Sequence, residues 1–487
     1  MKKYFFLFLL ALALLFAACE INVSVPSYTP ENPGVPNNTP RQFWAQDVRN
    51  SSFYSLEARK LAEGDYCTVW AETGNRMISV AVAESMARTY DTDIYPKMKA
   101  VFGIDNIEYQ GFRFRDTMEL ADAFGDEDGK LCILFLDIRD GYNPSTSVDA
   151  VVGYFHSLNF IPNSSPYLPA NMKYSNECDM IYMDTYPGEP GSPTSNETLA
   201  HELQHLMNFV NSQVFREGNN TDTWLTEGLS MAAEWVYTGT VDATNIAYYN
   251  SAQSPSRIST GNNFFVWDQY GDGSTYDEYA TVYLFFQWLR LQSGGNTNIY
   301  RTISSSSHSD YNAVVGAMNG YNEWGTMLKT WLAANYINAP NGRYGYMNEN
   351  TLKNVRARTV TSGIRSVNLY PGEGVYSVTN SSGNTPGSRG NIRYAGLSRS
   401  TGDVNDTAVF ASGALLTYNI DTNLESRPEA GTTTGVAASV STVPESLFVG
   451  TGSSRPSRVS ASDMLRRNGY EEVIPPTLRL NPGVNDN

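Results

Sequence analysis

Cysteine and histidine are the scarcest chemistry-bearing residues of this 487-residue chain, four of each, and charged residues make up only 17% of it. With Cys19 set aside for the reason given below, Cys67, Cys132 and Cys178 remain, an odd number that excludes a disulfide framework. None of them lies near the histidines in sequence, so a cysteine-ligated structural zinc is not suggested. Positive charge is also in short supply, with 34 basic against 50 acidic residues and a formal net charge of -16. Such a surface repels phosphate backbones and removes nucleic acid from the candidate partners. The apolar run from Tyr4 to Ala18 is too short for a comfortable bilayer-spanning helix. What is abundant is aromatic (12%, with 31 Tyr) and small or polar, a composition that suits an exported globular protein and not a disordered one. The length allows two or three domains with cores of their own.

Lys2 and Lys3 before that apolar run make residues 1–18 a signal peptide. Ala17 and Ala18 before Cys19 resemble the lipobox of bacterial lipoproteins, in which the cysteine is acylated and becomes the first residue. Phe16 stands where leucine is commonest, and the alternative is plain secretion with cleavage after Ala18. Residues 20–40, "EINVSVPSYTPENPGVPNNTP", hold five prolines and little hydrophobic pattern. They read as an extended tether, with residues 19–52 outside the folded body and order starting near Phe53. The expected location is the bacterial cell envelope, lipid-anchored to a membrane through Cys19, or secreted.

Strands are expected at "DYCTVWAE", "KLCILFLDI" (130–138), "VVGYF" (151–155) and "DMIYMDT" (179–185), with a helical stretch from Ile78 to Phe102 broken at Pro96. Helices are expected over 224–237, 276–292 and 323–336. From about residue 345 the texture turns to Gly, Ser, Thr and Asn with short alternating segments such as "ALLTYNI". Strands that lead into helices suggest an α+β body over residues 53–344 and a small β-rich region over 345–487.

The most informative stretch is Thr198 to Val210, "TLAHELQHLMNFV". A helix turns once in 3.6 residues, so His201 and His205 share a face and both rings can reach one ion. Glu202 is offset around the helix, where its carboxylate can face the open coordination position instead of filling it. That is the arrangement of a zinc hydrolase. The bland alternative is an amphipathic helix with core histidines. Leu199, Leu203, Leu206 and Met207 do form an apolar face, but a helix that holds ligands rigidly needs one too.

A catalytic zinc takes three protein ligands and leaves a fourth position for water. The continuation HExxHxxGxxH is excluded by Asn208 and Asn211. A glutamate on a second helix is the other common solution, and Glu227 in "WLTEGLSMAAE" follows His205 after a polar loop, "REGNNTDT". "HELQH" followed by "WLTEGLSMAAE" resembles the gluzincins, and within them the hyicolysin-type family of bacterial secreted metallopeptidases. The resemblance runs over roughly residues 53–340, through "AVFG", "ILFLDIRDGY", "VVGYF", "SNECDMIYMDT" and "WLTEGLS". It implies a thermolysin-like body: a mixed sheet, an active-site helix and then a helical subdomain. Carried over by position, His201, His205 and Glu227 bind one Zn2+ and Glu202 is the general base.

In related gluzincins a carboxylate at the place of Glu234 hydrogen-bonds a zinc histidine. A further donor steadies the oxyanion, with Tyr279, Tyr283 and His308 as candidates and Tyr279 preferred among the three, although core packing is the leading alternative for both tyrosine rings. "GDEDGK" (125–130) has a flavour of calcium-binding DxDG but lacks the rest of a ligand loop, and reads first as a turn. The expected activity is endopeptidase cleavage of proteins or peptides. No Gly-x-Met-Glu-Asn segment of the zinc aminopeptidases precedes the zinc helix, and "GAMNG" (316–320) comes after it without the glutamate. A lipid-anchored binding or adhesion protein with a silent site is the other alternative, which Glu202 argues against.

Overall fold

The computed structural model describes residues 40–424, apart from 104–106, 110–111, 115–129, 146–148, 161–162, 165–169, 217–219, 251–264, 268–275, 361–366, and also residues 429–431 and 457–458. Residues 1–18, expected to be a signal peptide, Cys19 and all but Lys130 of the "GDEDGK" stretch lie outside the described residues.

Six strands form the first sheet: β1 (Arg41–Asp47), β2 (Ser52–Glu63), β3 (Cys67–Glu72), β4 (Leu131–Leu136), β5 (Gly153–Phe155) and β6 (Met180–Asp184), in the spatial order β1-β2-β3-β4-β6-β5. Strands β3, β4 and β6 are parallel to one another, and β5 returns antiparallel along the edge of β6. Alternation of side chains sorts the two faces. Ile133, Phe135, Ile181 and Met183 join the core shared with the helices, whereas Cys132, Leu134, Leu136 and Met180 pack with Phe43, Leu56 and Ala58 on the other face. Being covered on both sides, β4 and β6 are buried at every residue, which is why they read as continuous apolar runs.

Order begins earlier than Phe53. Arg41–Asp47 pairs antiparallel with β2 from Arg41↔Ala58 to Asp47↔Ser52 and buries Phe43 and Ala45. Residues 41–52 therefore belong to the folded body and not to a tether; their strand pattern is short and hidden behind the proline-rich stretch. The expected break at Pro96 also falls elsewhere. Helix α1 (Val80–Thr89) runs through a π turn (Tyr90–Ile94) into α2 (Tyr95–Phe102), with Pro96 in the first turn of α2. There its missing N–H costs little, and the wide turn ahead of it gives the ring room.

Helices α3 (Pro193–Phe209), α4 (Thr223–Thr238), α5 (Ala243–Asn250), α6 (Tyr276–Gln292), α7 (Asn298–Ser304), α8 (Tyr311–Ala317) and α9 (Trp324–Ile337) make up the middle of the chain. A five-stranded sheet follows: β7 (Thr359–Val360), β8 (Gly374–Thr379), β9 (Ile392–Leu397), β10 (Val404–Asn405) and β11 (Gly413–Asn419), in the order β7-β8-β11-β9-β10. The molecule is α+β, with a mixed sheet, a helical layer and a β-rich C-terminal part. No gap in packing marks residue 344. Tyr376, Leu397 and Leu416 lie in the same core as the helices, and the Tyr376 hydroxyl donates to the Leu332 carbonyl of α9 at 2.9 Å. No helix among the described residues is long and apolar enough to cross a membrane.

One buried acid braces the approach to α3. Asp184, at the end of β6, accepts the N–H groups of Ile138 (3.0 Å) and Gly188 (2.8 Å). Burial pushes its carboxyl up to about 6, against backbone hydrogen bonds from Gly188, Ile138 and Tyr186. Raised above the unfolded value, it stabilises the fold fully below about pH 4. That contribution is lost as pH climbs through about 6. The difference in unfolding midpoint between Asp184→Asn and wild type is expected to shift toward the variant between pH 4 and 7 in thermal melts, and a pH-independent difference would contradict this.

Candidate metal centre

Helix α3 starts at Ser192, whose hydroxyl caps the N–H of Ser195, with Pro193 in the first turn. Leu199, Leu203, Leu206 and Met207 are buried against the sheet and neighbouring helices, which fixes the rotation of α3 and turns His201, Glu202 and His205 together to the other side. Helix α4 packs back along α3. A buried cross-helix hydrogen bond, Ser230 hydroxyl to Gln204 Oε1 at 2.8 Å, holds their register.

That register is tight on the other face of α4. A Cβ placed on Gly228, the residue after Glu227, would lie 2.2 Å from Cε2 of Phe286 on α6. The phenyl ring is fully buried and has nowhere to go. Gly228→Ala is therefore expected to destabilise the protein by about 1–3 kcal/mol. Thermal or denaturant unfolding measures this; a variant as stable as wild type would show that α4 sits farther from α6.

The Nε2 atoms of His201 and His205 are 3.2 Å apart, and Glu227 Oε2 lies 3.4 Å from the first and 3.5 Å from the second. An ion with tetrahedral bonds of about 2.0–2.1 Å spaces its ligands by about 3.3 Å. The three atoms thus form a triangle of the size that such an ion spans, and among the described residues this is the one group of His, Cys, Asp and Glu side chains able to hold a metal. Glu227 is fully buried, and neither carboxylate oxygen has a hydrogen-bond partner. A buried carboxylate without hydrogen bonds is costly unless a cation compensates it. The donor set, two imidazoles and one carboxylate, fits Zn2+.

Electrostatics in the triangle follow from the same contacts. Burial alone would push the His201 imidazole down, but Glu227 and Glu234 outweigh it and take it up to about 10. Burial would raise Glu227, yet the two imidazoles hold it well below the usual carboxylate range. Both shifts favour a protonated imidazole beside an ionised Glu227.

Glu234, two turns along α4 from Glu227, meets His201 Nδ1 at 2.8 Å. Glu202 is buried, and its Oε2 accepts the backbone N–H of Phe155 at 3.1 Å. The edge strand can come this close because residue 153 is glycine: a Cβ there would meet Thr198 Cγ2 at 2.8 Å and Glu202 Cγ at 3.3 Å. Tyr279 is buried with its ring edge-on to Trp267 at 5.0 Å. The Tyr283 hydroxyl accepts the N–H of Asp242 at 2.6 Å. His308 is exposed on the loop after α7. The fourth histidine, His156, accepts the N–H of Leu158 on its Nδ1 and stays out of the triangle.

Two contacts escape a reading of the sequence. The Phe155 contact uses a backbone group and has no side-chain signature. The second is a hydroxyl: Thr226 Oγ1 lies 3.0 Å from His205 Nδ1. Its only signal in the sequence is its place beside Glu227.

No protein-family model matches the chain. Over 291 residues it is 28% identical to the neutral metalloprotease ShpI of Staphylococcus hyicus, an alignment that covers 58% of this chain and 58% of that protein. The chain thus matches little more than half the length of that relative. This similarity supports kinship with metallopeptidases over the matched part.

Proposed function

We propose that the protein is a zinc-dependent endopeptidase in which His201, His205 and Glu227 hold one ion and Glu202 moves the proton. The observation that carries the reading is Glu227: a fully buried carboxylate with no hydrogen bond on either oxygen, aimed at two imidazole nitrogens at ligand spacing. When bound, a zinc ion supplies Lewis acidity, lowering the pKa of water and polarising a peptide carbonyl. Glu202, held by the Phe155 N–H, takes the proton from the attacking water and returns it to the leaving amine. Glu234 accepts the Nδ1 proton of His201, which leaves the Nε2 lone pair directed into the triangle. Tyr279 is the proposed donor to the developing oxyanion, and its burial beside Trp267 is equally what core packing gives.

Proteins or peptides are the proposed substrates, cleaved within the chain because no amine-binding Gly-x-Met-Glu-Asn segment precedes the zinc helix. The proposed setting is the cell envelope or exterior, with Cys19 as the lipidated anchor, supported by the lysines and the small residues around the apolar leader. Residues 53–344 are the proposed metallopeptidase domain and 345–487 the proposed β-rich region, which shares Tyr376 and Leu416 with the core of the helices and has a cluster of its own around Val375 and Leu415.

The test is cleavage of a peptide library carrying blocked N-termini, with and without a zinc chelator. Internal cleavage that the chelator stops and zinc restores is the expected result. Cleavage restricted to free N-termini would favour the aminopeptidase, and chelator-insensitive cleavage would overturn the zinc reading.

A further inference from the structure

The two histidines of the triangle are braced by different chemistry. His201 Nδ1 faces a carboxylate, Glu234 at 2.8 Å, whereas His205 Nδ1 faces a neutral hydroxyl, Thr226 Oγ1 at 3.0 Å. We propose that Thr226 is a positioning residue for the metal site, acting as a hydrogen-bond acceptor that fixes the His205 tautomer with its proton on Nδ1 and its lone pair on Nε2. The inference rests on the zinc reading and goes beyond it, to how the second ligand is oriented.

A threonine hydroxyl can donate or accept, so its role depends on what else it meets. If it donated to Nδ1, the ring proton would move to Nε2 and His205 could not ligate. The place of His205 Nε2 in the triangle settles the choice: as a ligand it must keep its lone pair, so Nδ1 carries the proton and Thr226 Oγ1 accepts it. Asn208, one turn along α3, donates from Nδ2 to Thr221 Oγ1 at 3.0 Å and also reaches Thr226 Oγ1 at 3.4 Å, a contact that steadies the hydroxyl oxygen. The chain of contacts His205, Thr226, Asn208, Thr221 is neutral throughout and joins the ligand helix to the loop before α4.

Charge explains why a neutral group suits this position. Glu202, Glu227 and Glu234 already surround the pair of imidazoles. A fourth carboxylate there would raise the repulsion among the acids in the absence of metal. A hydroxyl orients the ring without adding charge. It is also placed by Glu227 itself, since consecutive residues of α4 carry the third ligand and the brace of the second.

The experiment compares wild type, Thr226→Val and Thr226→Ser. Zinc affinity is measured by competition with a chromophoric chelator, and the visible spectrum of the cobalt-substituted protein is recorded. Valine keeps the shape and removes the acceptor; serine keeps the acceptor. Zinc affinity is expected to fall about 10- to 100-fold in Thr226→Val, with an altered cobalt spectrum, and to return to within about threefold of wild type in Thr226→Ser. Melting of the metal-free proteins separates folding from positioning, and an unfolded Thr226→Val leaves the serine variant and its spectrum to decide. Equal zinc affinity in the valine variant, or a serine variant as weak as valine, overturns the role of Thr226. A wild-type protein that binds neither zinc nor cobalt overturns the zinc reading itself.

Discussion

Glu202→Gln is expected to lower the turnover of an N-blocked peptide by about 10^2- to 10^4-fold while zinc binding persists. The argument is one of shape against chemistry. Glutamine is nearly isosteric with glutamate, and its Oε1 can still accept the Phe155 N–H that now reaches Glu202 at 3.1 Å. It has no basic oxygen to take a proton. Glu202 is absent from the ligand triangle, so the metal should remain. Activity assays paired with metal analysis separate the two outcomes. Equal turnover of variant and wild type would sink the general-base role, and loss of metal together with activity would recast Glu202 as a ligand.

Glu227→Gln carries the second large effect, and it lowers stability most when metal is present. In wild type, zinc that binds only the folded protein stabilises it by RT ln(1 + [Zn]/Kd), about 4 kcal/mol at a thousandfold excess over Kd. The variant loses an anionic ligand, and most of that stabilisation should vanish. Without metal, the substitution removes a carboxylate that raises His201 and is itself held below its usual range by the two imidazoles. The metal-free variant is therefore expected to melt below metal-free wild type near neutral pH. The pH dependence follows from the same contacts. His201, raised to about 10 by its two carboxylates, stabilises the metal-free fold fully below about pH 6.5 and loses that contribution as pH rises through 10. Glu227, held below the usual carboxylate range, contributes at neutral pH and loses its part in acid. Zinc-free Glu227→Gln should melt with a flatter alkaline limb than wild type. A zinc-induced rise in melting temperature equal to that of wild type would remove Glu227 from the metal site.

How much of this was legible in the sequence depends on the range of the signal. The spacing of His201 and His205 is a local property of one helix, and residue order alone places both rings on one side. Glu227 is farther away but still follows from chain geometry, because a helix, a polar loop and a returning helix of this length bring it back to His205. The buried strands Leu131–Leu136 and Met180–Asp184 were legible as apolar runs for the same reason that they sit inside a sheet covered on both faces.

What was not legible depends on partners distant in the chain. Arg41–Asp47 became a strand through pairing with Ser52–Glu63, and its own signal is only Phe43, Trp44 and Ala45 directly after the proline-rich stretch. Pro96 was expected to interrupt a helix, and the π turn that accommodates it has no local signature. The hold of Phe155 on Glu202 is a backbone contact permitted by Gly153, and Thr226 is one hydroxyl among many. Tyr279 and Tyr283 look alike on one helix face. Only the fold distinguishes the ring against Trp267 from the hydroxyl that accepts the Asp242 N–H.

The central claim is that His201, His205 and Glu227 together hold one divalent ion. X-ray absorption at the zinc edge of the purified protein tests it most directly. The account predicts one zinc per chain with only nitrogen and oxygen neighbours at about 2.0–2.1 Å, two of them imidazole. A zinc shell containing sulfur at about 2.3 Å, or a folded protein that takes up no zinc, would contradict it.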